Sequence, residues 1–186
     1  RVEGTVASSN ASAERLKKHG IAVLDLNASG DLALYVDGAD EATRHRHLIK
    51  GGGGALTREK IVAHASERMI VIADESKWVS ALGRFPLPVD VVPFGLAATR
   101  RAVEAAAVAA GCPGLALLRR DKDGHAFVTD NGHWVLDAAL ERISDPKRLA
   151  DRLSAIPGVV EHGLFIGLVQ AVVLGGAEGV RVIERD

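Results

Sequence analysis

Four short apolar runs, each continuous rather than alternating, constrain this chain most: Ile21–Leu26, Leu32–Val36, Met69–Ala73 and Ala171–Leu174. A strand with one wet face alternates apolar and polar residues, whereas a strand covered on both faces reads as an unbroken apolar run, the habit of parallel sheets. Helix-length segments separate the runs. One begins after Ser8-Ser9-Asn10, good N-cap residues, and stops before Gly20, which suits the left-handed position just past a helix. Another follows Gly51-Gly52-Gly53-Gly54 and carries Leu56, Ile61, Val62 and Ala65 on one side. Both helices are expected to pack on the sheet. The fold class is α/β, built on a Rossmann-like, mostly parallel sheet.

Beyond Phe85-Pro-Leu-Pro88 the pattern changes. Val89–Val92 reads as a strand and Leu96–Ala110 as an Ala-rich helix. Short strands follow at Leu115–Leu118, Ala126–Val128 and Trp134–Leu136, the last after an Asp130-Asn131-Gly132 turn. Asp145-Pro146 opens a helix to about Ala155, with Asp at the N-cap and Pro at the first helical position, and Gly158–His162 is strand-like. This order describes a smaller α+β, ferredoxin-like lobe, inserted before the chain returns through Ala171–Leu174 and Val180–Ile183 to the first sheet. The expected division is a catalytic α/β domain from 1–87 and 172–186, with 88–171 as the inserted lobe.

The 186 residues are 47% hydrophobic and 25% charged, the composition of a globular chain able to support a full core. With Lys+Arg 23 against Asp+Glu 24, the net charge of −1 sets up no field for a polyanion or an anionic membrane, so neither nucleic acid nor membrane is an expected partner. A lone Cys112 leaves no intrachain disulfide and no thiol pair for a metal. No apolar stretch approaches the roughly 20 residues of a membrane span, and Arg1-Val-Glu-Gly lacks a signal-peptide pattern. A cytoplasmic location is expected.

Three apolar runs lead directly into acids, Asp25 after Ile21–Leu24, Asp37 after Leu32–Val36 and Asp74 after Met69–Ala73, and ligands of open α/β sheets sit outside the carboxyl ends of strands. The second is the richest: Asp37-Gly38-Ala39-Asp40-Glu41 sets carboxylates around a small, permissive pair. An Asx turn with Asp40 as a cap explains this segment equally well. Next, Lys50 precedes Gly51 to Gly54 at the mouth of a helix, where backbone amides form an anion or oxyanion site. Glu59, early in that helix, can point back to the same mouth as a proton carrier. The competing reading is a flexible turn with a solvated Glu59. No dinucleotide or P-loop glycine pattern is present, and His45 and His47 sit among arginines without a ligand set, so no cofactor and no metal are expected.

These segments resemble one family. Asp37-Gly-Ala-Asp-Glu41, Leu48-Ile-Lys-Gly-Gly-Gly-Gly-Ala-Leu-Thr-Arg-Glu-Lys60, Ala73-Asp-Glu-Ser-Lys77, Phe85-Pro-Leu-Pro-Val89, Thr129-Asp-Asn-Gly132, Ile156-Pro-Gly-Val-Val160 and Gly163-Leu-Phe165 are similar to ribose-5-phosphate isomerase, type A, across essentially the whole chain. The resemblance implies interconversion of D-ribose 5-phosphate and D-ribulose 5-phosphate through a cis-enediol in the pentose phosphate pathway. It further implies no metal or organic cofactor and a cytoplasmic homodimer or homotetramer. By position it makes Glu59 the base, places Asp37, Gly38, Ala39 and Asp40 on the sugar hydroxyls, and puts Lys50 with Gly51, Gly52 and Gly53 at the reacting end. Lys77 becomes a further substrate contact. The family's Gly-Thr-Gly-Ser-Thr phosphate loop has no counterpart here, which makes the expected catalytic domain N-terminally incomplete. The segment Phe165-Ile-Gly-Leu-Val-Gln-Ala171 is more apolar than the family pattern. A non-catalytic sugar-phosphate sensor and a different reaction on the same scaffold are the alternatives.

Overall fold

The computed structural model describes residues 4–184, so the outermost residues of the expected catalytic domain, 1–3 and 185–186, lie outside the described residues. In chain order the elements are α1 (Asn10–Lys18), α2 (Leu26–Ser29), β1 (Tyr35–Asp37), β2 (Glu41–Ala42), β3 (Leu48–Ile49), α3 (Leu56–His64) and β4 (Met69–Asp74). A 3-10 turn (Glu75–Lys77) follows, then β5 (Leu87–Val91), α4 (Leu96–Ala109), β6 (Leu115–Leu118), β7 (Trp134–Ala139), α5 (Pro146–Ser154), β8 (Val159–His162), β9 (Leu164–Phe165), β10 (Ala171–Gly176) and β11 (Gly179–Glu184).

The first sheet runs β1-β4-β10-β11; the first three strands are parallel and β11 closes it antiparallel. The second runs β6-β7-β5-β8 and is antiparallel throughout. Counted by its own strands its order is second, third, first, fourth, the ferredoxin-like arrangement, with α4 and α5 as its helices. A small third sheet, β2-β3-β9, joins the two. Side chains alternate across a strand, so β3 and β9 each feed both cores: Leu48 and Phe165 pack with Tyr35, Val71 and Val172, while Ile49 and Leu164 pack with Leu87, Val89 and Leu136. That placement explains the apolar Phe165–Ala171 stretch, whose first residue is fully buried at the seam.

Local signals hold where capping decides. Ser9 accepts the Ser12 amide at the start of α1, and Asp145 accepts the Arg148 amide at the start of α5, which has Pro146 in its first turn. Four expectations fail where long-range pairing decides. Among the described residues Ile21–Leu26 forms no strand: only Val23 bridges Thr5, Ile21 and Leu24 stay exposed, and Asp25 caps α2 through the Asn27 amide. With so little strand beside it, α1 buries none of its residues rather than packing on the sheet. Ala126–Val128 makes two isolated bridges, to Arg120 and Trp134, and is not a strand. On α3, Leu56 and Val62 are buried but Ile61 faces outward.

Candidate active site

The carboxyl end of β1, the β3–α3 loop and the first turn of α3 meet around a cleft of about 230 Å³, lined by Asp37, Gly38, Ala39, Asp40, Lys50, Gly51, Gly52, Gly53 and Glu59. Lys77 is not among these residues. It ends the 3-10 turn beyond β4, whose start is set by the Asp74 carboxylate accepting the Ser76 amide. Asp74 is thus a cap, as Asp25 is.

Lys50 is the hub. Its side chain is only 3% exposed, and its Nζ donates to Asp37 Oδ2 at 2.8 Å and to the Gly38 carbonyl at 2.6 Å. Glu59 Oε2 lies 3.4 Å from the same Nζ without making a hydrogen bond there, and among the described residues it has no hydrogen-bond partner. A buried carboxylate oxygen left without a hydrogen bond is costly and calls for an explanation beyond stability. Burial raises the Glu59 pKa above the ordinary carboxylate value, Asp37 adds to the rise, and Lys50 opposes it. The Tyr35 hydroxyl donates to Asp37 Oδ2, and burial followed by the Asp37 charge holds the phenol protonated well above its usual range. Asp37 is thereby fixed by a phenol, an ammonium and, through Oδ1, the Gly38 amide at 2.8 Å.

The glycines serve several ends. Gly51 has φ +102 and an added Cβ would meet Leu56 at 2.8 Å; Gly54 has φ +80 and would meet the Phe127 ring at 2.3 Å. Gly52 gives its amide to Asp40 Oδ2 at 2.8 Å, and Gly54 gives its own to the Gly51 carbonyl at 2.9 Å. The expectation that all four amides await a ligand therefore narrows, because two are already engaged. Gly53 has neither a crowded Cβ site nor a left-handed φ.

Several contributors were invisible in the sequence. Glu41, in the acidic motif, turns away and accepts the Gly83 and Phe85 amides, each at 2.7 Å, so it is a buried staple for that loop. Arg119 reaches from the end of β6 to the Gly51 and Gly52 carbonyls. Thr57 in α3 donates to buried Asp90, whose pKa burial raises, with His133 Nδ1 at 3.4 Å. Behind α3, Lys60 Nζ is held by Glu161 at 2.6 Å and by the His162 carbonyl at 2.6 Å. Burial depresses the Lys60 pKa and pushes that of His162 down to about 4. These two line a larger hollow of about 730 Å³ between α3 and α5, but Lys60 there is already neutralised by Glu161. Size therefore does not choose the site. Among the described residues no group of three or more His, Cys, Asp or Glu is placed to hold a metal ion. The arrangement on the cleft side offers a carboxylate whose pKa burial raises, an adjacent ammonium and two anchored acids, which suits proton transfer next to a developing oxyanion.

Residues 4–179 match the family model for ribose 5-phosphate isomerase A (phosphoriboisomerase A). A ribose-5-phosphate isomerase A of Rhodopseudomonas palustris (strain TIE-1) is 64% identical over 175 residues, spanning 94% of this chain and 74% of that protein. One of Bradyrhizobium diazoefficiens is 59% identical over 97% of this chain and 76% of its own. Among solved structures, ribose 5-phosphate isomerase A from Neisseria gonorrhoeae superposes with TM-score 0.89 at 39% identity, covering 99% of this chain and 78% of that one. The Plasmodium falciparum ribose 5-phosphate isomerase gives TM-score 0.91 at 29% identity over 98% and 78%.

Proposed function

Since the chain belongs to the ribose 5-phosphate isomerase A family, we propose that the Asp37–Lys50–Glu59 cleft is where its proton transfer takes place. The protein is an aldose–ketose isomerase of pentose phosphate metabolism, interconverting D-ribose 5-phosphate and D-ribulose 5-phosphate. The observation that carries the site assignment is the buried Oε2 of Glu59, 3.4 Å from the Lys50 ammonium and without a hydrogen bond among the described residues.

In the aldose-to-ketose direction, ionised Glu59 takes the proton from C2, and the electron pair moves into the C1–C2 bond as the C1 carbonyl oxygen becomes an oxyanion. Lys50 stabilises that charge, already held in place by Asp37 and Gly38, so no reorganisation is needed as it develops. A proton passes from O2 to O1 across the cis-enediol, and protonated Glu59 returns its proton to C1. Asp37 and Asp40 hold hydroxyls and assist opening of the furanose ring; Gly38, Ala39 and the Gly51 to Gly53 backbone complete the wall, and Lys77 contacts substrate from the neighbouring turn. A raised Glu59 pKa serves this cycle, because one group must first accept and then give up the same proton. A sensor that only bound sugar phosphate would have no use for it.

The division into a catalytic unit, 1–87 with 172–186, and a lobe, 88–171, is supported by the strand orders of the two large sheets. A cytoplasmic homodimer or homotetramer completes the reading. No helix among the described residues is long and apolar enough to cross a membrane. Exposed apolar side chains such as Phe94 at 91% and Leu115 at 63% offer surface for self-association. Incubation with ribose 5-phosphate in deuterated water, followed by NMR, tests the reaction: ribulose 5-phosphate should appear and C2 should acquire deuterium. Absence of both would sink the reading.

A further inference from the structure

Arg119 stands about seventy positions along the chain from the glycine loop, yet its Nη1 donates to the Gly51 carbonyl at 3.0 Å and to the Gly52 carbonyl at 3.1 Å. Its own placement is over-determined. Nε and Nη2 grip the two oxygens of Asp137 on β7, at 2.8 and 2.5 Å, a bidentate pair that fixes the plane of the guanidinium. The guanidinium carbon lies 5.7 Å from the centroid of the Phe127 ring, and that ring is the one that forbids a Cβ at Gly54. One lobe thus holds a loop belonging to the other.

In a trans peptide the C=O and the following N–H point in opposite directions, and the described residues contain no cis bond. Fixing the carbonyls of Gly51 and Gly52 on the Arg119 side therefore turns the amides of Gly52 and Gly53 to the other side. The first of these is seen there, donating to Asp40 Oδ2 at 2.8 Å. The second follows on the same side, at a residue that lines the cleft and has nothing within 4 Å of its Cβ direction. Two successive amides facing one way make an anion-binding nest, and a cation bonded to their carbonyls polarises them into stronger donors.

We infer that Arg119, held by Asp137, is a positioning residue of the isomerase: it aims and polarises the Gly52 and Gly53 amides, setting Asp40 with the first and offering the second to the oxyanion that forms on the substrate. This inference rests on the isomerase reading above. Its chemistry concerns charge that exists only as the proton moves, so loss of Arg119 should lower kcat more than it raises KM.

The test uses the full chain carrying R119K, R119A or D137N, with kcat and KM for ribose 5-phosphate and the 1H–15N resonances of Gly52 and Gly53. A lysine supplies one charge without the fork, so R119K should lose roughly 10- to 100-fold in kcat, with KM changed less than about threefold, and R119A should lose more. The Gly52 and Gly53 amide resonances should shift in all three variants while those of β11, at the opposite edge of the first sheet from β1, stay in place. Wild-type kcat in R119K and R119A, or unshifted glycine amides, overturns the inference, as does a loss that follows only the folded fraction. If neither Arg119 variant is recovered folded, D137N decides by the same amide resonances. Failure of the wild-type protein to exchange the C2 proton would instead strike the isomerase reading, and the amide shifts would still report on what Arg119 holds.

Discussion

Glu59 carries opposing pressures in one side chain: burial favours its neutral form, Lys50 favours its anion, and Oε2 has no hydrogen bond. Replacing it with glutamine, E59Q, should cost about 10³-fold in kcat, the range of a lost general base, and abolish C2 deuteration while a substrate analogue still binds. Because the reactive form is the anion, kcat should fall on the acid side with a midpoint above the ordinary glutamate value, read from a pH–rate profile. The stability sign runs the other way. With its folded pKa raised, the native state holds more protons than the unfolded chain between the two values, so this residue's contribution is present at low pH and is lost as pH rises through that window. E59Q should remove that component, leaving the melting temperature near neutral pH equal or higher. An E59Q protein that turned over normally would refute the role.

At the scale of elements, α3 presents Glu59 to the cleft and Lys60 to Glu161 and His162 on the far side, so the register of this helix determines the site. What sets the register is the loop before it. Gly54 combines a left-handed φ with contact against Phe127, whereas Gly53 has neither. G54A should therefore destabilise by more than about 1 kcal/mol and lower kcat, and G53A should be nearly neutral in stability; thermal melts of the pair decide it. Away from the site, D145A removes the carboxylate that accepts the Arg148 amide at the start of α5. A loss of about 1 kcal/mol with unchanged kcat is expected, checked by urea unfolding beside the isomerase assay.

Across the whole molecule, the two cores meet at β3 and β9, and the buried Lys60–Glu161–His162 group sits beside that seam, with the Lys60 ammonium 5.0 Å from the Phe165 ring centroid. His162 is held neutral down to about 4, mainly by burial and then by the Lys60 charge. The unfolded chain therefore binds more protons between about pH 6.5 and 4, and stability should fall as pH drops through that range, by something on the order of 3 kcal/mol from this residue. Urea unfolding at several pH values should show the slope, and H162Q should flatten it. Much was legible beforehand. Capping at Ser9 and Asp145, the runs that became β4 and β10, and the acids and glycines that line the cleft are written within a few residues of one another, where hydrogen-bonding capacity and backbone freedom act locally. The sequence by itself thus determined the α/β order, the smaller lobe and the acids and glycines that line one cleft. Only the tertiary structure decided that Ile21–Leu26 makes a single bridge among the described residues, that Glu41 is a staple while Asp37 and Asp40 face the cleft, and that Arg119 orients a loop 68 residues away. Burial and pairing are properties of segments brought together from distant parts of the chain, and no local pattern encodes which partner arrives.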